Sequence, residues 1–266
     1  MVAAVHRTAL AIEVNRRYQK PSEQLAEKKT HMKIKIKKYF SAFTLIELLV
    51  VIAIIAILAA FAVPALTSAL TKGQMTGTMN NARQLYIAQF QMSNDGAATS
   101  DATSAWPGDL PTVPPDLISY LNVLCQKGYL RGADALKLMT APGAAFTANV
   151  TTTGGVDSLD TPGGTAALKV WLVQDANPAT EIFCTTRNYV YNTALVPTDS
   201  PYGSRGFITV KKGGDAAIYR VGQAQAGGWT NGTLFQNSVG YKSPDTIGTP
   251  QVGDPTTPGT GTVHFP

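Results

Sequence analysis

Residues 48–71 form a run of 24 positions without a single charged side chain. At ~1.5 Å per residue, a helix of that length crosses the ~30 Å hydrocarbon core of a bilayer. The pattern then changes. Met75, Met79, Ala82, Tyr86 and Phe90 recur at helical spacing and predict an amphipathic continuation to about Ser93. Asn94-Asp-Gly96 carries turn chemistry and predicts the end of that helix. In residues 116–128, Leu117, Tyr120, Leu121 and Leu124 fall on one helical face and Gly128 reads as a stop. Residues 133–139 predict a second short helix. Residues 143–166 are small, polar and Gly-rich, and read as an exposed loop.

Alternating β-rich runs follow. Residues 168–173, 181–184 and 189–191 predict strands, and residues 207–210 and 217–221 predict a hairpin around Lys211-Lys-Gly-Gly-Asp215. From Ser243 the chain is rich in Pro, Gly and Thr and reads as an extended tail. The order of elements is α+β. It divides the chain into residues 1–42, a long helix over 43–93 with a transmembrane N-terminal half, a globular α+β domain over 94–242, and a tail over 243–266.

Two residues interrupt the apolar pattern. Glu47 stands at its start, where an ionised carboxylate costs ~2.5 kcal/mol or more unless it is paired or held near the interface. Pro64 lies inside it, removes one backbone hydrogen bond and predicts a kink. Gly73 and Gly77 each weaken the following turns by about 1 kcal/mol relative to Ala, so local extension between Pro64 and Gly77 is an expectation.

Charge sharpens the division. Residues 1–42 hold ten Lys/Arg and three Asp/Glu, whereas residues 43–266 hold twelve and fourteen. The positive balance of the chain therefore lies wholly in the first segment. The remainder has no long basic run, so no nucleic-acid partner is predicted. Basic residues before an apolar span hold the N-terminus in the cytoplasm and send the following domain outward.

Residues 33–47 read Lys-Ile-Lys-Ile-Lys-Lys-Tyr-Phe-Ser-Ala, then Phe43-Thr-Leu-Ile-Glu47. A short basic leader, a small residue, this pentapeptide, a long apolar run and a later Pro64 resemble the prepilin-type signal of the type IV pilin and type II secretion pseudopilin family. The family strongly prefers Gly where this chain has Ala42. The resemblance implies a pilin-like fold, in which the long apolar helix packs on an antiparallel sheet domain. It implies cleavage by a prepilin peptidase between Ala42 and Phe43, with N-methylation of Phe43 by the same enzyme. It also implies assembly through the apolar helix, with Phe43 and Glu47 as the assembly pair and Pro64 at the family's helix kink. The partners implied are that peptidase/methyltransferase, further copies and other pilin-like subunits, an inner-membrane assembly platform and membrane lipid. The location implied is the bacterial inner membrane, single-pass, with the C-terminal domain periplasmic or extracellular, and then a pilus or pseudopilus.

Physics gives Glu47 a role in that scheme. Cleavage creates an amine at Phe43, and amine and carboxylate cost far less to bury together than alone. The amine could belong to a neighbouring subunit or to the same chain one turn away. Upstream, Met32 opens a leader of family-like length, so either translation starts there or residues 1–31 are a long leader. An ordinary secretory signal competes for the same region, with Ala56-Ile-Leu-Ala-Ala60 imitating a cleavage site, but its apolar core spans only about 7–15 residues.

Catalytic chemistry finds little support, and no enzyme is predicted. The only histidines are His6, His31 and His264, so a His-based metal site or Ser-His-Asp triad would rest on the tail. No phosphate-binding or nucleophile-elbow motif occurs. Cys125 and Cys184 are the only cysteines. They read either as a disulfide in an oxidising compartment or as buried free thiols. No cofactor is predicted. Calcium, which major pseudopilins commonly bind, would need 6–8 converging oxygens; Asp199, Asp215, Asp245 and Asp254 lie in polar loops, and their convergence is a property of the fold, so no metal ligands are assigned. The function expected is a structural subunit of a type II secretion pseudopilus or a type IV pilus. The alternative is a membrane-tethered extracytoplasmic binding module that does not polymerise.

Overall fold

The structure, a computed structural model, describes residues 43–254. The leader 1–42, with Ala42 and Met32, and residues 255–266 lie outside the described residues. The chain divides into two compact units that meet between Ile54 and Ile55.

Helix α1, Leu45–Thr99, runs through that boundary with Pro64 inside it. Ile and Val are middling helix formers in water. In hydrocarbon, however, a helix is the single-segment structure that satisfies every backbone group internally. Residues 64–77 are helical throughout, in contrast to the extension expected there. Thr67 donates its hydroxyl to the Pro64 carbonyl at 2.9 Å.

Turn chemistry at residues 94–96 does not end the helix. Gly96 is buried, and a Cβ there would meet the Ser104 carbonyl oxygen at 1.7 Å. The glycine serves close packing rather than a turn. Termination comes four residues later than its position suggests: Ser100 takes a positive φ of 56° and Asp101 N–H donates to the Gly96 carbonyl at 2.9 Å.

The buried face of α1 comprises Met75, Thr78, Ala82, Leu85, Gln89, Met92 and Gly96, among others. This stripe is rotated from the expected one, and Phe90 is 42% exposed. Gln89 is fully buried yet satisfied, donating to Ala105 O at 2.9 Å and accepting from Tyr120 OH at 3.0 Å.

Helix α2, Leu117–Gln126, is capped by Asp116, whose carboxylate accepts from Ser119 N–H at 2.8 Å. Its Leu117, Tyr120, Leu121 and Leu124 enter the core. Helix α3 spans Gly132–Leu138. Where a loop was expected, β1 (Phe146–Thr153) and β2 (Val156–Gly164) form an antiparallel hairpin. Gly154 and Gly155, both at positive φ, make its turn. The hairpin is held from outside its own pattern: Asn122 of α2 donates to Leu159 O at 2.8 Å and accepts from Leu159 N–H at 2.6 Å.

The main sheet is an antiparallel meander in the order β3-β4-β5-β6. Its strands are β3 (Leu168–Val170), β4 (Ile182–Thr186), β5 (Phe207–Lys211) and β6 (Ala216–Tyr219). Residues 189–191 are not a strand. Tyr189 and Tyr191 instead drive their rings into the core and donate their hydroxyls to Ala224 O and Gly240 O, and side-chain burial there outcompetes a ladder. Helix α4, Gly232–Ser238, capped by Asn231, was not expected. Residues 243–254 are tied to the domain rather than free: Gln236 holds Thr246 and Gly248, and Lys242 reaches Gly253 O at 3.0 Å. Their polar sequence hides partners supplied by distant elements. The α+β, pilin-like order of a long apolar helix followed by an antiparallel sheet domain is what the structure has.

Candidate functional site

Residues 43–66 present apolar side chains on every side of the helix. Phe43 is 72% exposed and Phe61 78%. Among the described residues, α1 is the helix long and apolar enough to cross a membrane, and none of its most apolar window is buried.

At its start stands a reciprocal cap. Thr44 N–H and Thr44 Oγ1 donate to Glu47 Oε2 at 2.9 and 2.8 Å, and Glu47 N–H donates to Thr44 Oγ1 at 3.2 Å. This is the Thr-x-x-Glu capping box. The Thr44-to-Glu47 spacing carries the signal for this cap in the sequence itself, beside the pairing with an amine expected of Glu47. All these bonds to the carboxylate fall on one oxygen. Glu47 can therefore keep its cap through Oε2 while Oε1 faces a cation.

The other residues singled out take simpler places. Pro64 lies within α1. Cys125 on α2 and Cys184 on β4 are both free and buried, and no disulfide joins them. Burial pushes the Cys125 thiol up to about 11 and raises that of Cys184 as well. Asn231 accepts from Leu234 N–H at 2.7 Å as the cap of α4.

The Asp254 carboxylate is committed to the buried Lys169 ammonium. Lys242 occupies loop carbonyls at Gly253 and Val252. No group of three or more His, Cys, Asp or Glu side chains that could hold a metal gathers among the described residues. Two buried carboxylates nonetheless stand out. Glu181 Oε2 and Asp245 Oδ2 have no hydrogen-bond partner. Burial pushes Glu181 up to about 7, against the pull of the Ser243 backbone N–H and Lys212 and with the help of Asp245. Burial likewise raises Asp245.

The family model described as the prokaryotic N-terminal methylation motif matches residues 37–63. No curated protein and no solved structure matches the chain at a significant level. The chain thus carries a type IV pilin/pseudopilin-type signal, joined to a pilin-like α+β architecture. Proteins with that signal are structural subunits rather than enzymes, and it implies processing by a prepilin peptidase and assembly with other pilin subunits. The exposed apolar helix fits anchorage in the inner membrane.

Proposed function

We propose that the chain is a structural subunit of a type II secretion pseudopilus or a type IV pilus. It is held in the inner membrane by α1, cut between Ala42 and Phe43, methylated on the Phe43 nitrogen and then assembled through its apolar helices. The observation that carries this reading is the overlap of the methylation motif, residues 37–63, with the exposed apolar start of α1. In the fibre, Glu47 Oε1 meets the Phe43 amine of a neighbouring subunit, and Thr44 holds the carboxylate in place through Oε2.

Intact-mass and N-terminal analysis of membrane-extracted protein, with and without the prepilin peptidase gene, tests the first step. The expected product begins with methylated Phe43 and appears only when the peptidase is present. A chain that retains Lys33–Lys38, or one cut after Ala60, overturns the reading and leaves the tethered module or a secreted domain.

Two substitutions separate the roles of the site. Glu47→Gln preserves a capping box, because Gln serves at that position as well as Glu, but removes the charge; assembly is expected to fail while cleavage continues. Thr44→Val removes the cap and leaves the charge, and reduced assembly is expected. A deletion strain that loses secreted enzymes identifies a pseudopilus, and one that loses surface fibres identifies a pilus.

A further inference from the structure

We infer that a basic groove at the base of the globular unit binds the phosphate of an anionic phospholipid headgroup. The groove, of about 370 Å³, is lined by Thr67, Ser68, Thr71, Lys72, Met75 and Arg205. The Lys72 ammonium, the Arg205 guanidinium and the Ser68 hydroxyl are groups that recognise a phosphate, while the Thr67 and Thr71 hydroxyls donate to the Pro64 and Thr67 carbonyls.

The Arg205 side is built rather than incidental. Tyr202 reaches α1 through its hydroxyl, donating to Gln74 O at 3.1 Å and lying 2.6 Å from Thr78 Oγ1. Asn188 donates to both Gly203 O and Gly206 O, at 2.8 and 2.9 Å, and so pins the turn that bears Arg205. At Gly206 a Cβ would come within 2.8 Å of Met75 Cε, so the glycine lets the turn lie close against the helix. Arg205 Nη1 donates to Thr71 Oγ1 at 3.3 Å, a neutral partner that leaves the cation's charge uncompensated. Neither Lys72 nor Arg205 forms an ion pair among the described residues. Between Glu47 and Asp95 the chain has no acidic residue at all.

Position selects the ligand. A helix needs about 20 residues to cross ~30 Å of hydrocarbon, and counting from Leu48 the crossing ends at Thr67. Residues 67–72 therefore fall at headgroup depth on the far side, and Lys72 is the first charge after the span. Where that leaflet carries anionic lipid, each cation near its surface is worth about a fivefold change in binding. Free phosphate shares the chemistry, but the apolar span delivers the groove to lipid.

The inference rests on the membrane reading above, and its test separates the two. Full-length protein is reconstituted in nanodiscs of phosphatidylcholine mixed equally with phosphatidylglycerol, and the lipids it retains are counted by native mass spectrometry. The wild type is expected to retain phosphatidylglycerol over phosphatidylcholine. Lys72→Gln combined with Arg205→Gln is expected to lower that preference by about 30-fold. Arg83→Gln, which removes a cation elsewhere on α1 that donates to Ala216 O, is expected to preserve it. Equal retention in wild type and double variant, or equal loss in Arg83→Gln, overturns the site while the membrane reading stands. Excess inorganic phosphate that displaces the lipid, and binds the detergent-solubilised protein as tightly, assigns the groove to soluble phosphate and overturns the lipid assignment. Failure of the chain to enter nanodiscs overturns the membrane reading and the site together.

Discussion

Residues 45–71 and residues 75–96 belong to one helix and obey opposite rules. In the first stretch Leu58 is 63% exposed and Leu66 69%, and no side chain is buried. In the second, Ala82, Leu85 and Met92 are fully buried among residues of the sheet and of α2. Identical residue types therefore do different work. Leucine in the first stretch sets a transfer free energy for the surrounding medium. Leucine in the second fills a shape.

Truncation separates these roles most strongly. Leu85→Ala is expected to destabilise the globular unit by about 2–5 kcal/mol, the cost of lost burial plus the cavity left behind. Leu58→Ala is expected to leave the unfolding midpoint within about 0.5 kcal/mol of wild type. Denaturant titration of detergent-extracted protein, followed by tryptophan fluorescence, measures both. Equal losses at the two positions would mean that the first stretch also packs against the protein in solution.

The two glutamates sharpen the same contrast. Glu47 is exposed at a helix end and satisfied by Thr44, whereas Glu181 is 3% exposed and has an oxygen without a partner. With Glu181 pushed up to about 7 by burial, the folded chain holds a proton between pH 4.5 and 7 that the unfolded chain releases. The contribution of Glu181 to stability is therefore full below pH 4.5 and falls as pH rises towards 7, by about 3 kcal/mol for a shift of that size. Above pH 7 this contribution is flat. Asp245, also raised by burial, acts in the same direction. Glu181→Gln is expected to remove most of the slope and to raise stability at pH 7.5. Thermal melts across pH 4–8 check it, and an unchanged slope in the variant would place the proton elsewhere.

What the sequence made legible follows the same line. The apolar span, its basic flank and Glu47 could be read directly, because a bilayer presents one uniform environment and composition alone meets it. The helix over 117–126 and the hairpin of β5 and β6 were legible too, since each carries its own stop or turn. The hairpin over residues 146–164 was not. Its strands are small, polar and exposed on most positions, and its anchors, Asn122 on Leu159 and Gly132 N–H on Asp157, come from other elements. Residues 189–191 failed for the converse reason, because a β-rich run was claimed by the core one side chain at a time. Gln89 and Gly96 look like a surface residue and a breaker. Both are buried because a distant partner, Tyr120 or the Ser104 backbone, meets them. The capping box of Thr44 and Glu47 is wholly local, so its Thr-x-x-Glu spacing is legible in the sequence alone.

Glycine offers the finest test, because the same substitution on one helix should change sign between Gly73, at the junction of the two stretches, and Gly96, within the second. Gly96→Ala places a methyl group 1.7 Å from a backbone oxygen that belongs to another segment. Moving that segment is expected to cost about 1–3 kcal/mol. At Gly73 nothing lies within 4 Å of the added atom, and the residue is exposed inside a continuous helix. Alanine there removes the entropic penalty of glycine and is expected to stabilise by about 1 kcal/mol, read as a rise of about 2–4 °C in Tm for a domain of this size. A rise at Gly73 with a fall at Gly96 means that tertiary contact, rather than helix propensity, governs the C-terminal half of α1. A fall at both positions would mean that the turns around residue 73 open in solution and that their glycine is kept for that freedom.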